Sequence, residues 1–337
     1  MTIFSYTRNY LFRAMVIFVF LGLFCNYPLN ARIFNLDPFV YYYDGVDSNK
    51  VINNLDQKLK SKLPELESQL GVKFSGKAGI HLTQTREEFY RVTRGRAPGW
   101  AGGIAYSSQR KVVVKSPLFF GQGVSLEALT THEITHLILH EATSGNYLPR
   151  WLEEGLCMIL AGESRSGSLA RLGRAAAASR LMGLPRVDDV LRFSAPQADL
   201  AYSESRSAAV YLIDRFGWQA VRDILKYVRA DRDFEEAFSI ATGVEYEPWQ
   251  VEWIEYALNR YRWVFLLDID NLVWFSIVLL GTVVMIMAYV RQRRQMRALL
   301  EEMEDDDEYF PEYDTDEFRK KSEEHPEEDE WETPYKW

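Results

Sequence analysis

Cysteine is nearly missing from this 337-residue chain, which carries two, Cys25 and Cys157. Cys25 lies inside an N-terminal apolar run, so a chain trimmed of that run keeps one thiol and has no internal disulfide. A structural zinc site, usually closed and rich in cysteine, has too little to build from. Histidine is scarce as well, with five residues. There are no internal repeats, no nucleic-acid motif, and little surplus of positive charge. Outside residues 298–337 the chain has 35 Lys and Arg against 30 Asp and Glu, and the excess is largely a cluster of arginines beside an apolar segment. Nucleic acid is therefore not an expected partner.

What is present begins with two apolar runs. Residues 14–25 form an unbroken stretch of 12, preceded by Arg8 and Arg13 and followed by 26–31 with Pro28 and Ala31. Its length suits the core of a signal peptide, cleaved after Ala31; retention as an N-terminal anchor is the alternative. The second run, 272–290, has 19 residues without a charge and is long enough to cross a bilayer. Arg291, Arg293, Arg294 and Arg297 follow it, and positive flanks stay in the cytoplasm, which puts 32–270 outside it. Residues 263–271 then form an interfacial linker between Trp263 and Trp274. The simplest setting is a single-pass protein facing the periplasmic side of a bacterial inner membrane, with lipid contacts along 272–290. The tail 298–337 carries 18 acidic and 4 basic residues, so the acidic pI belongs to it. Such a block is expected to be disordered in the cytoplasm. Its Phe310, Tyr313, Phe318 and Trp331 offer docking points for a cytoplasmic partner, or the tail simply solubilises the chain.

The chemistry is concentrated at His132-Glu133-Ile134-Thr135-His136. On a helix, side chains four apart stand one above the other, so two imidazoles can reach one ion while Glu133 projects beside them toward a bound water. His140 lies too far along: eight residues of helix rise about 12 Å, whereas a zinc–nitrogen bond is about 2 Å. The longer H-E-x-x-H-x-x-G-x-x-H pattern fails at Leu139 and Ala142. A tetrahedral catalytic zinc still needs a third donor, and a second helix from Pro149 offers Glu153 and Glu154. Successive helical residues diverge by about 100°, so only one of the two should face the ion while the other meets solvent or a basic neighbour.

His132-Glu133-x-x-His136 followed by Trp151-Leu152-x-Glu154-Gly155 resembles the gluzincin metalloproteases, in particular the peptidase MA-like family. The resemblance extends more weakly from Gly79 to Leu258. It implies one zinc per chain held by His132, His136 and Glu154, with Glu133 as general base and Tyr202 placed like the tyrosine that steadies the oxyanion. Tyr202 also reads as a packing or capping residue. The resemblance further implies a peptide or protein substrate laid as an added strand on a sheet edge, for which 111–115 is the candidate, preceded by a turn or close approach at Gly102-Gly103. Cys157 stands where a small residue is expected.

The expected fold is α+β: a zincin-like domain over 32–262, with a small mixed sheet followed by a mainly helical part, then the transmembrane helix and the basic and acidic segment 291–337. Strands are expected near Ile80 and across 101–115. Helices are expected over 50–70, divided by Pro64, then from Ser125 to Glu141, and over 169–182, 203–215, 218–228, 234–241 and 248–261. The function that follows is a membrane-anchored zinc peptidase. The alternative is a non-catalytic, membrane-tethered protein that binds peptides or signals on the same fold.

Overall fold

A computed structural model describes residues 32–45, 47–116, 124–163, 168–264 and 269–307. The N-terminal run 14–25, Cys25 and the tail beyond 307 lie outside the described residues. The fold is α+β, with a five-stranded mixed sheet and a mainly helical remainder.

Strands β1 (Arg32–Leu36) and β2 (Phe39–Tyr43) pair antiparallel. Both escaped the sequence reading. In β2 the buried Phe39, Tyr41 and Tyr43 alternate with half-buried Val40 and Tyr42, so apolar residues fill both faces and hide the period of two. Helix α1 (Ser48–Leu70) buries Ile52, Leu55, Leu59, Leu66 and Leu70 on one side. Tyr41 donates its hydroxyl to Asp56 Oδ1 at 3.0 Å, which ties β2 to that helix. Pro64 does not divide α1 as expected. Pro64 and Lys60 are both exposed, so the carbonyl that loses its N–H partner is left on the side facing water.

The next elements are β3 (Ala78–Thr83), α2 (Arg86–Thr93), β4 (Gly103–Tyr106) and β5 (Lys111–Lys115). The sheet order is β1-β2-β3-β5-β4, with β5 parallel to β3 and antiparallel to β4. The expected edge at 111–115 is thus interior. Val112, Val113 and Val114 are each fully buried, as a strand flanked on both sides and covered on both faces requires. Among the described residues, β4 is the edge strand at that end of the sheet.

Four further helices and a 3-10 segment follow, of which the first packs against β4 and β5 and the others pack on helices. They are α3 (Leu126–Ala142), α4 (Arg150–Leu160), α5 (Ser168–Ala177), the segment Leu184–Arg192, and α6 (Ala195–Arg229). Ser125 caps α3 by accepting from Ala128 N at 3.1 Å. Helix α6 starts eight residues before the expected 203, where Gln197 Oε1 accepts from Ser194 N at 3.1 Å, and its helical path breaks at Gly217 (φ 74, ψ 172) between the two expected helices. Helices α7 (Phe234–Thr242) and α8 (Tyr246–Tyr261) complete this unit.

Helix α9 (Ile269–Asp307) belongs to a separate unit. Its stretch Val273–Glu301 is exposed throughout and includes a window of mean hydropathy 2.3, which fits a single membrane span. It continues well past 290, so 298–307, the first ten residues of the acidic block, are helical where disorder was expected. Glu, Leu, Met and Ala dominate the start of that segment and favour extension of a helix already nucleated.

Candidate metal centre

Helix α3 is buried at every position from Leu129 to Leu139. It therefore shows no amphipathic stripe, and polar groups in it need partners from neighbouring elements. His132, Glu133 and His136 are 5%, 5% and 7% exposed.

Those partners come mainly from α4, whose position is fixed at two points. The indole of Trp151 is fully buried, stacked 5.3 Å from the Trp249 ring, and donates from Nε1 to the Tyr246 hydroxyl at 2.8 Å. Gly155 lies where α4 crosses α6: a Cβ there would sit 2.5 Å from the Ser205 carbonyl oxygen and 2.6 Å from Ala209 Cβ. With the tryptophan and glycine turned toward α6 and α8, Glu154 points at α3.

His132 Nε2 lies 3.2 Å and His136 Nε2 3.7 Å from the same oxygen, Glu154 Oε2. Two donors held about 2.0–2.2 Å from a tetrahedral zinc stand about 3.3–3.6 Å apart. Both carboxylate-to-imidazole distances are close to that spacing, and the donor atoms of His132, His136 and the buried Cys157 lie within 4.8 Å of one another. Each imidazole also meets a second carboxylate through its other nitrogen: His132 Nδ1 is 3.1 Å from Glu163 Oε1, and His136 Nδ1 is 2.9 Å from Glu153 Oε1. A carboxylate at Nδ1 keeps the proton there and leaves the Nε2 lone pair for a metal. Glu153 is the neighbour expected to face solvent or a base; it meets both a histidine and Arg150, whose Nη1 lies 3.4 Å from Glu153 Oε2 and 3.7 Å from Glu154 Oε1.

The electrostatics match a cation site. Burial pushes the Glu133 carboxyl up to about 7, against the pull of His132 and His136. Burial would also raise Glu154, yet the two imidazoles outweigh it and hold this carboxyl well below its ordinary range. His132 and His136 are raised despite their burial, chiefly by Glu163 for the first and by Cys157 and Glu153 for the second. Glu133, Glu153, Glu154 and Glu163 together crowd four carboxylates into one interior region. The two imidazoles and Arg150 lie among these carboxylates, and a buried acidic cluster of this kind is suited to a divalent ion.

A cleft of about 310 Å³ opens onto this cluster, lined by Trp100, Gly103, Ile104, Arg150, Leu191 and Tyr202 among others. Tyr202 is 7% exposed, with its ring edge-on to Trp100 at 6.0 Å between centroids. Gly103 makes a close approach: a Cβ there would stand 2.6 Å from Glu133 Oε1. His140 is in the last turn of α3, and His81 is stacked on Tyr42 at 4.1 Å, so neither contributes to the cluster. Glu163 and Arg150 escaped the sequence reading. Glu163 lies beyond the end of α4, after a turn at Gly162, and no fixed spacing marks it.

The family model of the peptidase MA superfamily matches residues 65–259, more than half of the chain. The chain belongs to this superfamily. The match spans α3, α4 and the helices that brace them, so it covers every residue of the cluster just described. Members of the superfamily are in general zinc-dependent metallopeptidases, although some lack activity. No curated protein matches the chain.

Proposed function

We propose that this protein is a membrane-anchored, zinc-dependent peptidase. His132, His136 and Glu154 would hold the ion, with Glu163 and Glu153 orienting the two imidazoles. Zinc, when bound, supplies Lewis acidity and a water of lowered pKa. Glu133 accepts a proton from the attacking water and returns it to the leaving amine. A carboxyl lifted to about 7 by burial is suited to both transfers near neutral pH. Tyr202, reaching the cleft from α6, donates its hydroxyl hydrogen toward the developing oxyanion. The edge of β4 receives the substrate backbone as an added strand, which brings an extended peptide past Glu133. Helix α9 tethers the domain, and the arginines after 290 orient it away from the cytoplasm.

The observation that carries this reading is the convergence of both imidazole Nε2 atoms on one Glu154 oxygen under an open cleft, with Glu133 on the same helix. The test is cleavage of a denatured protein substrate by the full chain in detergent, with Glu133→Gln alongside. Metal-dependent cleavage that Glu133→Gln abolishes without loss of metal is the expected result. Equal cleavage by both proteins would overturn the mechanism. Full cellular function of Glu133→Gln would favour a peptide-binding role instead.

A further inference from the structure

Only one face of β4 looks onto the metal centre. Lys115 donates its N–H to the Gly102 carbonyl at 2.8 Å, so Gly102, Ile104 and Tyr106 turn their backbone groups to β5, while Gly103 and Ala105 turn theirs to the sheet edge. Side chains alternate too: a Cβ at Gly103 would meet Glu133, so Ile104 and Tyr106 stand on the opposite face. There the Tyr106 hydroxyl donates to the Thr93 carbonyl at 2.9 Å, at the end of α2. The same carbonyl accepts from Arg96 N at 3.2 Å, which folds Arg94, Gly95 and Arg96 into a turn held against the edge strand. The chain then runs through Pro98 and Trp100, both in the lining of the cleft.

Arg94 and Arg96 are exposed, and among the described residues no carboxylate pairs with either guanidinium. Neither is needed to cap α2, whose last carbonyls are already taken. Gly95 N donates to Tyr90 at 3.0 Å, Arg94 N to Arg91 at 3.3 Å and Lys111 Nζ to Val92 at 3.5 Å. The acidic residues of α2, Glu87 and Glu88, lie in its first turn, at the other end. Burial, and then Arg94, hold the Lys111 ammonium below its ordinary range. Burial also pushes the Tyr106 hydroxyl up, with Arg96 and then Arg94 opposing it. Three cations thus crowd one end of an edge strand, and an anion from outside would relieve their repulsion.

We propose that the turn Arg94-Gly95-Arg96 selects substrates by acidic side chains on the face of the bound strand that points away from the metal. This inference rests on the added-strand part of the proposed function. A peptide laid along Gly103 and Ala105 alternates its side chains between the two faces. Those beside Gly103 and Ala105 turn toward Glu133 and the cleft. Those beside Ile104 and Tyr106 turn toward Arg94 and Arg96, where an Asp or Glu accepts charge-assisted hydrogen bonds from the guanidinium forks. The substrate class is therefore an extended segment with carboxylates at alternate positions.

The test reads binding and cleavage separately. The full chain in detergent, carrying Glu133→Gln so that peptide is not consumed, is titrated into labelled peptides of alternating Thr and Glu or alternating Thr and Gln, and fluorescence anisotropy is followed. The Thr–Glu peptide should bind about fivefold more tightly, as two exposed charge pairs allow. Arg94→Gln/Arg96→Gln should lose that preference, while Arg94→Lys/Arg96→Lys and the control Lys50→Gln/Lys58→Gln on α1 should keep most of it, each variant being checked for fold by circular dichroism. Absence of binding, equal affinity for both peptides, or an undiminished preference in folded Arg94→Gln/Arg96→Gln overturns this inference. Metal-dependent cleavage of denatured protein by wild type then leaves the proposed function standing. An arginine-dependent preference in a chain that cleaves nothing sustains the acidic-peptide surface and overturns the peptidase reading.

Discussion

Gly103 offers a sharp test of the site, because it opens the edge strand where β4 passes Glu133. In Gly103→Ala the new methyl would stand 2.6 Å from Glu133 Oε1 and 2.8 Å from its Cγ. Ordinary contact begins at 3.4 Å, so strand and carboxylate must separate by about 0.8 Å. The start of β4 is bonded in register to β5 (Gly103↔Val114), which favours movement of the Glu133 side chain. Misplacing a catalytic group by about 1 Å costs about 100-fold in rate. We expect kcat to fall about 10- to 100-fold, and stability by about 1–3 kcal/mol from overpacking. Gly99→Ala is the control, since a Cβ at that position meets nothing within 4 Å. Initial rates on a quenched fluorescent protein substrate, with thermal melts of both variants, measure the two effects. If folded Gly103→Ala keeps wild-type kcat within twofold, Glu133 is not the base and the edge of β4 does not deliver the substrate to it.

Gly155→Ala should act on stability. Its methyl would meet the Ser205 carbonyl and Ala209, forcing α4 and α6 apart at about 1–3 kcal/mol, or roughly 3–10 °C in melting temperature; an unchanged melt would show that the crossing has slack. Glu163→Gln removes the charge beside His132 Nδ1 and should weaken zinc affinity about 10- to 100-fold by chelator competition. Unchanged affinity would remove Glu163 from the metal site. Glu204, fully buried, accepts from the backbone N–H groups of Met182 at 2.7 Å and Gly183 at 3.1 Å, and burial raises its carboxyl to about 7. With its folded pKa above its unfolded value, the native state binds the extra proton between about 4.5 and 7. Its contribution to stability therefore falls as pH rises through that window, by a few kcal/mol at most (about 1.4 per unit). Urea midpoints should show a shallower fall for Glu204→Gln than for wild type over pH 4.5–7.5, and parallel curves would contradict the assignment.

The parts of the site legible in the sequence are those encoded by helical spacing. His132, Glu133 and His136 share one helix, and Trp151 and Gly155 frame Glu154 on the next, so periodicity carries most of the geometry. Sheet order is different, because it depends on pairings between distant segments. The valine run at 112–114 reads as a strand, yet nothing local distinguishes an interior position from an edge. The β1–β2 hairpin was hidden because Tyr41, Tyr42 and Tyr43 present aromatic rings on both faces. Glu163 lies on a turn after α4, where backbone geometry rather than spacing aims the side chain. The divergence of Glu153 and Glu154 follows from helical angles, but only the packed structure reveals that Glu153 turns to the second nitrogen of His136.

The measurement closest to the central claim is zinc affinity and stoichiometry, by mass spectrometry and chelator competition, for the purified full chain and for Glu154→Gln. The account predicts one zinc per wild-type chain and an affinity at least a hundredfold weaker in the folded variant. A well-folded wild-type protein without zinc affinity, or a Glu154→Gln protein that binds as tightly as wild type, would contradict it.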